Sequence, residues 1–348
     1  MANPLKLTSL WRVVREVDLE TLRVAARARF TIVLVSETGD DAARVQRLLS
    51  HGSPDGAGAP HPWLEVAPAQ PGALSAVSAA PWCAVLVTRD ADLGPGLRTA
   101  GNHFANAGVP VLTVLIGDTS HVGKVLRHGE RARVALDTLD EQAIDPIAAT
   151  LIGIVSEDQQ IALAAHLPPL RPAVFALTIE RTARANASFA MTTGLAETIP
   201  ILTAPLNLGD IVVLTKNQLM MCYRIALASG RDEEPRKMMT EIIGVIGGGV
   251  LFRQIARQLV GLIPVAGLLP KVAVAYAGTY AIGRAMAAWT TEGRQVTVDT
   301  VARYSREGLE RGRALAEHMV EDDAARAGRP ARRFERFRRF LPVRRSKA

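Results

Sequence analysis

Residues 242–289 are the most apolar part of this chain, and four positive charges limit what they can become. The stretch IIGVIGGGVLFRQIARQLVGLIPVAGLLPKVAVAYAGTYAIGRAMAAW is interrupted by Arg253, Arg257, Lys271 and Arg284 alone. Its longest charge-free runs are 242–252, 258–270 and 272–283, all shorter than the ~20 residues a spanning helix needs. An arginine at the bilayer centre costs at least ~2.5 kcal/mol even on the lenient insertion scale. GLIPVAGLLP, residues 261–270, reads as the turn of a helical hairpin whose tip, with Leu262, lies between Arg257 and Lys271. Such a tip can dip into one leaflet while Arg253, Arg257, Lys271 and Arg284 stay at the headgroups or against a partner. It can equally be the core of a soluble helical domain, and the segment alone does not separate the two.

Small residues mark the same stretch for close packing. Gly244 and Gly248 form a G-x-x-x-G pair. Ala273, Ala277, Ala281 and Ala285 make one ridge at four-residue spacing, and Ala275, Thr279, Gly283 and Ala287 make a second. Ridges of this kind let helix backbones approach one another. In a water-exposed helix each glycine would instead cost about 1 kcal/mol relative to alanine.

With 348 residues the chain can hold two domains, each with its own core. Its net charge of +7 is unevenly placed: residues 326–348 carry ten basic side chains against Glu335, so the remainder is slightly acidic. The basic character belongs to a tail. Cys83 and Cys222 lie far apart among apolar neighbours, which suits buried thiols in a reducing compartment rather than a disulfide or metal framework. The first residues, MANPLKLTSLWRVVREVD, lack an uninterrupted apolar run and a small-residue cleavage site. They are not expected to act as a secretory signal.

Residues 8–28 read as a leading helical segment broken near Asp18. Strands are expected at FTIVLV (30–35), Trp63–Ala67, WCAVLVT (82–88), VPVLTVLIG (109–117) and, more weakly, 132–136. Helices are expected at 40–49, 95–107 and 142–155, with a further turn near 120–127. Continuous apolar runs alternating with helices imply a mainly parallel sheet covered on both faces.

That order resembles the core of small Ras-like or Era-like bacterial GTPases, which implies three nucleotide-binding signatures. A P-loop needs glycines, a lysine and a Ser/Thr for Mg²⁺; after the first strand this chain has SETGDDAARV, with no lysine and with Asp40 and Asp41 where phosphates would bind. The Asp-x-x-Gly signature falls at Ala69-Gln70-Pro71-Gly72, which keeps only the glycine. The guanine-reading motif falls at Leu115-Ile116-Gly117-Asp118, which keeps only the aspartate. The domain is therefore either a degenerate P-loop GTPase-like domain or a flavodoxin-like α/β domain that never bound nucleotide. Both exclude the groups phosphoryl transfer depends on. No GTPase activity, catalytic residue, metal or cofactor is expected.

From about residue 157 the pattern is helical, with prolines at 168, 169, 172, 200 and 205. A helix is expected over 173–194 with Arg181 and Arg184 off its apolar face. Residues 199–214 read as an apolar connection, and Thr215 with Gln218 as a capping box opening a helix that ends at Gly230. Leu219, Cys222, Tyr223 and Ala226 line one face of it. DIVVLTKNQ, MMCYRIALASG and IGGGVLFRQIARQLVGLIPVAGLLPKVAVAYAGTYAIGRA together resemble the GTPase-associated helical domain of YcjF-like inner-membrane proteins, over about 170–292. The resemblance implies an all-α domain that often follows a GTPase-like domain, and membrane association rather than an activity.

Residues 297–328 read as an amphipathic helix with Val301, Tyr304, Gly308, Leu315 and Met319 towards one face and Glu307–Arg311 as an exposed pair. In the tail Arg333, Phe334, Arg336, Phe337 and Phe340 interleave arginines with aromatics. A helix there has an apolar stripe beside a basic face, which favours anionic lipid over a solvated, disordered tail or nucleic acid. The expected organisation is a leading helical segment (1–29), a degenerate GTPase-like α/β domain (30–156), an all-α domain with a small-residue helical hairpin (157–294), an amphipathic helix (295–328) and a basic tail (329–348). The expected function is a non-enzymatic, membrane-associated scaffold or adaptor on the cytoplasmic face of the cell membrane. Its partners would be anionic lipid, an active GTPase supplied in trans, or further copies of itself. The alternatives are a nucleotide-dependent switch with an unorthodox site and a soluble helical adaptor.

Overall fold

Three apolar runs form the centre of a sheet in the computed structural model, which describes residues 19–54, 61–74, 77, 80–90, 92–117, 126, 129–196, 207–247, 268–293 and 297–326. The chain divides into two units. The first comprises Met1–Ile179, Leu219–Val245 and Met286–Arg294; the second comprises Glu180–Gln218, Ile246–Ala285 and Gln295–Ala348.

The first unit holds α1 (Leu19–Ala26), β1 (Ile32–Ser36), α2 (Asp40–Ser50), β2 (Leu64–Pro68), a single turn α3 (Pro71–Leu74), β3 (Cys83–Thr88), α4 (Pro95–Asn106), β4 (Val111–Ile116), β5 (Glu130–Leu136), α5 (Ile144–Ile154) and α6 (Glu157–His166). The five strands are all parallel, in the order β2-β1-β3-β4-β5, which is the flavodoxin-like order. Every residue of β1, β3 and β4 is buried, so these strands need apolar side chains on both faces. Val33, Val35, Ala84, Leu86 and Val111 form one face with Leu97, Ala100 and Phe104 of α4. Helices α2 and α5 also pack on the sheet, α2 on β1, β2 and β3 and α5 on β4 and β5.

The last strand is two residues longer than its sequence suggests. Glu130 is sheltered because Arg133 contacts both its carboxylate oxygens, at 2.8 and 2.7 Å, and the Thr113 hydroxyl donates to it at 2.8 Å. Removing one partner of a buried pair leaves an uncompensated charge, so these polar residues belong in the strand only together. At the same, amino-terminal edge of the sheet, Phe30 stacks on Trp63 and Trp82 with centroids 4.8 and 5.3 Å away. These three rings stand just before β1, β2 and β3.

Helix α1 is tied to a residue two hundred positions away: Arg27 donates to both oxygens of Asp232 at 2.7 and 2.5 Å, and the Tyr223 hydroxyl to the Leu19 carbonyl at 3.3 Å. The Arg27 hydrogen bonds hold the Asp232 carboxyl below its ordinary range. The break expected at Asp18 and the turn expected near 120–127 lie outside the described residues, Leu126 excepted.

Both cysteines are buried, and burial pushes the Cys83 thiol up to about 12 and raises that of Cys222 as well. A thiolate is the reactive form. The native chain is expected to leave both thiols unmodified by a thiol-specific chromogenic disulfide at neutral pH, and to titrate both in denaturant. Rapid native reaction at either would contradict their placement.

Among the described residues the second unit draws mainly on α7 (Arg171–Ala196), α8 (Asn207–Ala228), α10 (Leu268–Glu292) and α11 (Val298–Arg326). The remaining helix, α9 (Pro235–Gly247), begins with proline at its first position, where a missing N–H costs nothing. Two expectations change here. Thr215 does not open a helix: α8 starts at Asn207, so Thr215 is a buried mid-helix residue, and Gln218 bonds to Thr279 at 3.2 Å instead of to a cap. Residues 207–214 are accordingly helix, while Pro200 and Pro205 fall outside the described residues. Gly230 does end the helix, with φ +88°. Leu219, Cys222, Tyr223 and Ala226 are all buried, as expected.

On α11, Val301, Tyr304 and Gly308 are buried but Leu315 and Met319 are only half-buried. The seam runs instead through Ser305, Gly308, Gly312 and Ala316. The Ala273–Ala277 ridge of α10 meets it directly: a β-carbon on Gly312 would lie 2.7 Å from the Ala273 carbonyl oxygen, and one on Gly308 would lie 3.0 Å from the Ala277 Cα. The second ridge meets polar partners. Thr279 Oγ1 accepts from Asn186 at 2.9 Å and from Gln218 at 3.2 Å and donates to the Ala275 carbonyl at 2.8 Å, while Asn217 donates to Asn186 at 2.7 Å. With its members bonded to one another, this buried network fixes the register of three helices without leaving orphaned groups.

Candidate functional site

In open parallel sheets the ligand crevice lies beyond the carboxyl ends of the strands, where the connections diverge. Here that point is between β1 and β3. Only Glu37, Thr38 and Gly39 separate β1 from α2. Gly39 takes φ +86°, a conformation that costs glycine little, and this swings the chain straight into the helix. The Ser36 hydroxyl oxygen then accepts the Gly39 and Ala42 N–H groups at 3.0 and 3.2 Å. Two of the donors that a phosphate would need at this helix start are thus used within the loop.

Charge opposes an anion as well. Asp40 and Asp41 occupy the first turn of α2. Asp41 is clasped by Arg89, just past the end of β3, through two hydrogen bonds of 2.7 Å. The Asp41 pair keeps the Arg89 guanidinium firmly protonated. The Glu37 carboxylate lies against Gly94, the residue before α4, so closely that a β-carbon there would overlap it. Gly96 similarly brings α4 against the Ala69 carbonyl at the end of β2. The missing lysine and Asp40–Asp41 were legible in the sequence, whereas the Arg89 clasp, 48 residues away from Asp41, was not.

Of the ten residues the sequence offers for membrane or partner contact, Lys271 and Arg284 are described, and both are exposed. Arg253, Arg257, Leu262, Arg333, Phe334, Arg336, Phe337 and Phe340 lie outside the described residues. Between Lys271 and Thr290 of α10, Lys271 and Arg284 are the exposed side chains. The helix is surrounded through Asn186 of α7, Gln218 of α8, and Gly308 and Gly312 of α11. Small side chains on all its sides reflect core packing at close backbone range.

Two tyrosines of α10 hold carboxylates at the edge of this core. Tyr276 donates to Glu180 and Tyr280 to Glu307, and Glu307 also accepts from Arg311 at 2.9 Å. Burial, followed by the carboxylate hydrogen bond, pushes the Tyr280 phenol up to about 12. Glu307–Arg311 is therefore part of a three-member contact and not merely a surface pair.

Among the described residues no helix is long and apolar enough to cross a membrane, and no cluster of His, Cys, Asp and Glu could hold a metal. Comparison with protein-family models, curated proteins and solved structures finds no match.

Proposed function

We propose that this protein is a non-enzymatic scaffold or adaptor that associates peripherally with the cytoplasmic face of a membrane. Its α/β domain, flavodoxin-like in strand order, is read as a GTPase-like or flavodoxin-like domain without a working nucleotide site, and its helical domain as one similar to that of YcjF-like proteins. The observation that carries the non-enzymatic half is the self-satisfied loop between β1 and α2, with Ser36 accepting its N–H groups and Asp40 and Asp41 at the helix start. Asp40 faces the place a phosphate would take, with no cation paired to it among the described residues, and Arg89 is already committed to Asp41. The membrane half rests on the basic, phenylalanine-studded tail. An active GTPase in trans, or a second copy of the chain, is the protein partner this reading implies.

Calorimetric titration of the full chain with GTP and with ATP in Mg²⁺ tests the first half. No saturable heat is expected with either. Micromolar binding would restore the nucleotide-dependent switch as the better reading. The soluble adaptor is favoured by one observation, the enclosure of α10, and differs from our proposal in expecting no vesicle binding.

A further inference from the structure

We infer that Arg284 of α10 and Arg303 of α11 form a clamp for a single phosphate group, held open by Tyr304. Both guanidinium carbons stand over the Tyr304 ring, each 5.3 Å from its centroid, so the two are at most twice that distance apart. Tyr304 itself is 8% exposed, while both arginines are exposed. The buried ring holds two solvent-facing cations on one patch of the surface. A guanidinium attracted to a ring face keeps its N–H fork available in its own plane. That fork matches two oxygens of a phosphate.

What makes the pair a site is the absence of a counter-ion. Among the described residues neither Arg284 nor Arg303 has a carboxylate partner. The acids nearby on α11 do not fill the role. Glu307 is occupied by Tyr280 and Arg311, and Asp299, one turn before Arg303, makes no ion pair with it. Arg306, one turn further on and exposed, adds positive charge to the same side of the helix. Two like charges held against one ring, neither with a carboxylate partner among the described residues, are relieved by an anion from outside.

The ligand chemistry is a phosphate oxyanion, borne by a lipid headgroup or free in solution. The choice of lipid rests on the membrane reading; the clamp does not. The probes are inorganic phosphate and a water-soluble short-chain phosphatidic acid, titrated as monomers into the full chain by calorimetry. Each charge-assisted contact is worth roughly tenfold in affinity, so R284A/R303A is expected to weaken binding by roughly a hundredfold with unchanged circular dichroism. R284K/R303K keeps the charge but loses the fork, and is expected to fall between. Tighter binding of the lipid assigns the site to a headgroup, and equal binding assigns it to free phosphate; either supports the clamp. No saturable binding, equal binding by R284A/R303A, or full binding by R284K/R303K overturns it. A chain that floats with anionic vesicles but shows no such difference loses the clamp and keeps the membrane reading. A chain that binds phosphate through these arginines but never floats keeps the clamp and loses the membrane reading.

Discussion

Replacing Gly312 with leucine is expected to abolish the cooperative unfolding of the helical unit. At this position even a β-carbon would lie 2.7 Å from the Ala273 carbonyl oxygen and 3.1 Å from the Ala273 Cα. Both are backbone atoms, so the neighbour cannot turn a side chain away. Overpacking of a tight core costs typically ~1–3 kcal/mol. Alanine at the same place would recover about 1 kcal/mol of helix propensity, so Gly312→Ala is expected to be mildly destabilising. Leucine recovers no more propensity and adds three carbons with nowhere to go. Gly153 supplies the control, because it is helical and a β-carbon there meets nothing within 4 Å; Gly153→Ala is expected to stabilise by up to about 1 kcal/mol. Denaturant titration followed by far-UV circular dichroism measures all three. A Gly312→Leu chain as stable as the parent would show that α10 and α11 do not pack backbone to backbone.

The seam behind that expectation was only half visible in the sequence. The alanine ridges of α10 stood out because they recur in an apolar helix. Gly308 was placed on the contact face and lies there, but Gly312 sits in a helix dense in charge, where Leu315 and Met319 looked like the natural contact residues. The larger side chains lost because the space beside Ala273 and Ala277 admits no β-carbon. Thr215 failed for a related reason: Thr-x-x-Gln is the pattern of a cap, but here Gln218 serves a tertiary bond to Thr279. Local hydrogen-bonding capacity does not specify its partner.

The sheet was legible where burial was two-sided. β1, β3 and β4 needed unbroken apolar runs and had them, whereas β5 concealed its start behind Glu130 and Arg133, which only a fold can pair. The candidate crevice shows the same division. A missing lysine is a property of the chain, while Arg89 clasping Asp41 is a property of two strand ends brought together by the strand order.

Removal of residues 327–348 is expected to have the second large effect, on membrane binding rather than on folding. The segment carries nine basic side chains against Glu335. Each basic residue near an anionic surface contributes about 1 kcal/mol, so engagement of even three of them is worth roughly a hundredfold in affinity. Phe334, Phe337, Phe340 and Leu341 would add apolar burial that salt does not screen. In our proposal the tail is the main contributor to attachment. Salt should therefore weaken binding steeply, because the charges act across an aqueous interface where screening sets in within about 10 Å.

Flotation of the full chain with phosphatidylglycerol-containing vesicles, alongside the chain ending at residue 326, tests the proposal most directly. At low salt the full chain should rise with the vesicles, the shortened chain should stay below, and high salt should release the full chain. If the full chain stays at the bottom at low salt, or both chains float equally, peripheral anchoring by the basic tail is contradicted.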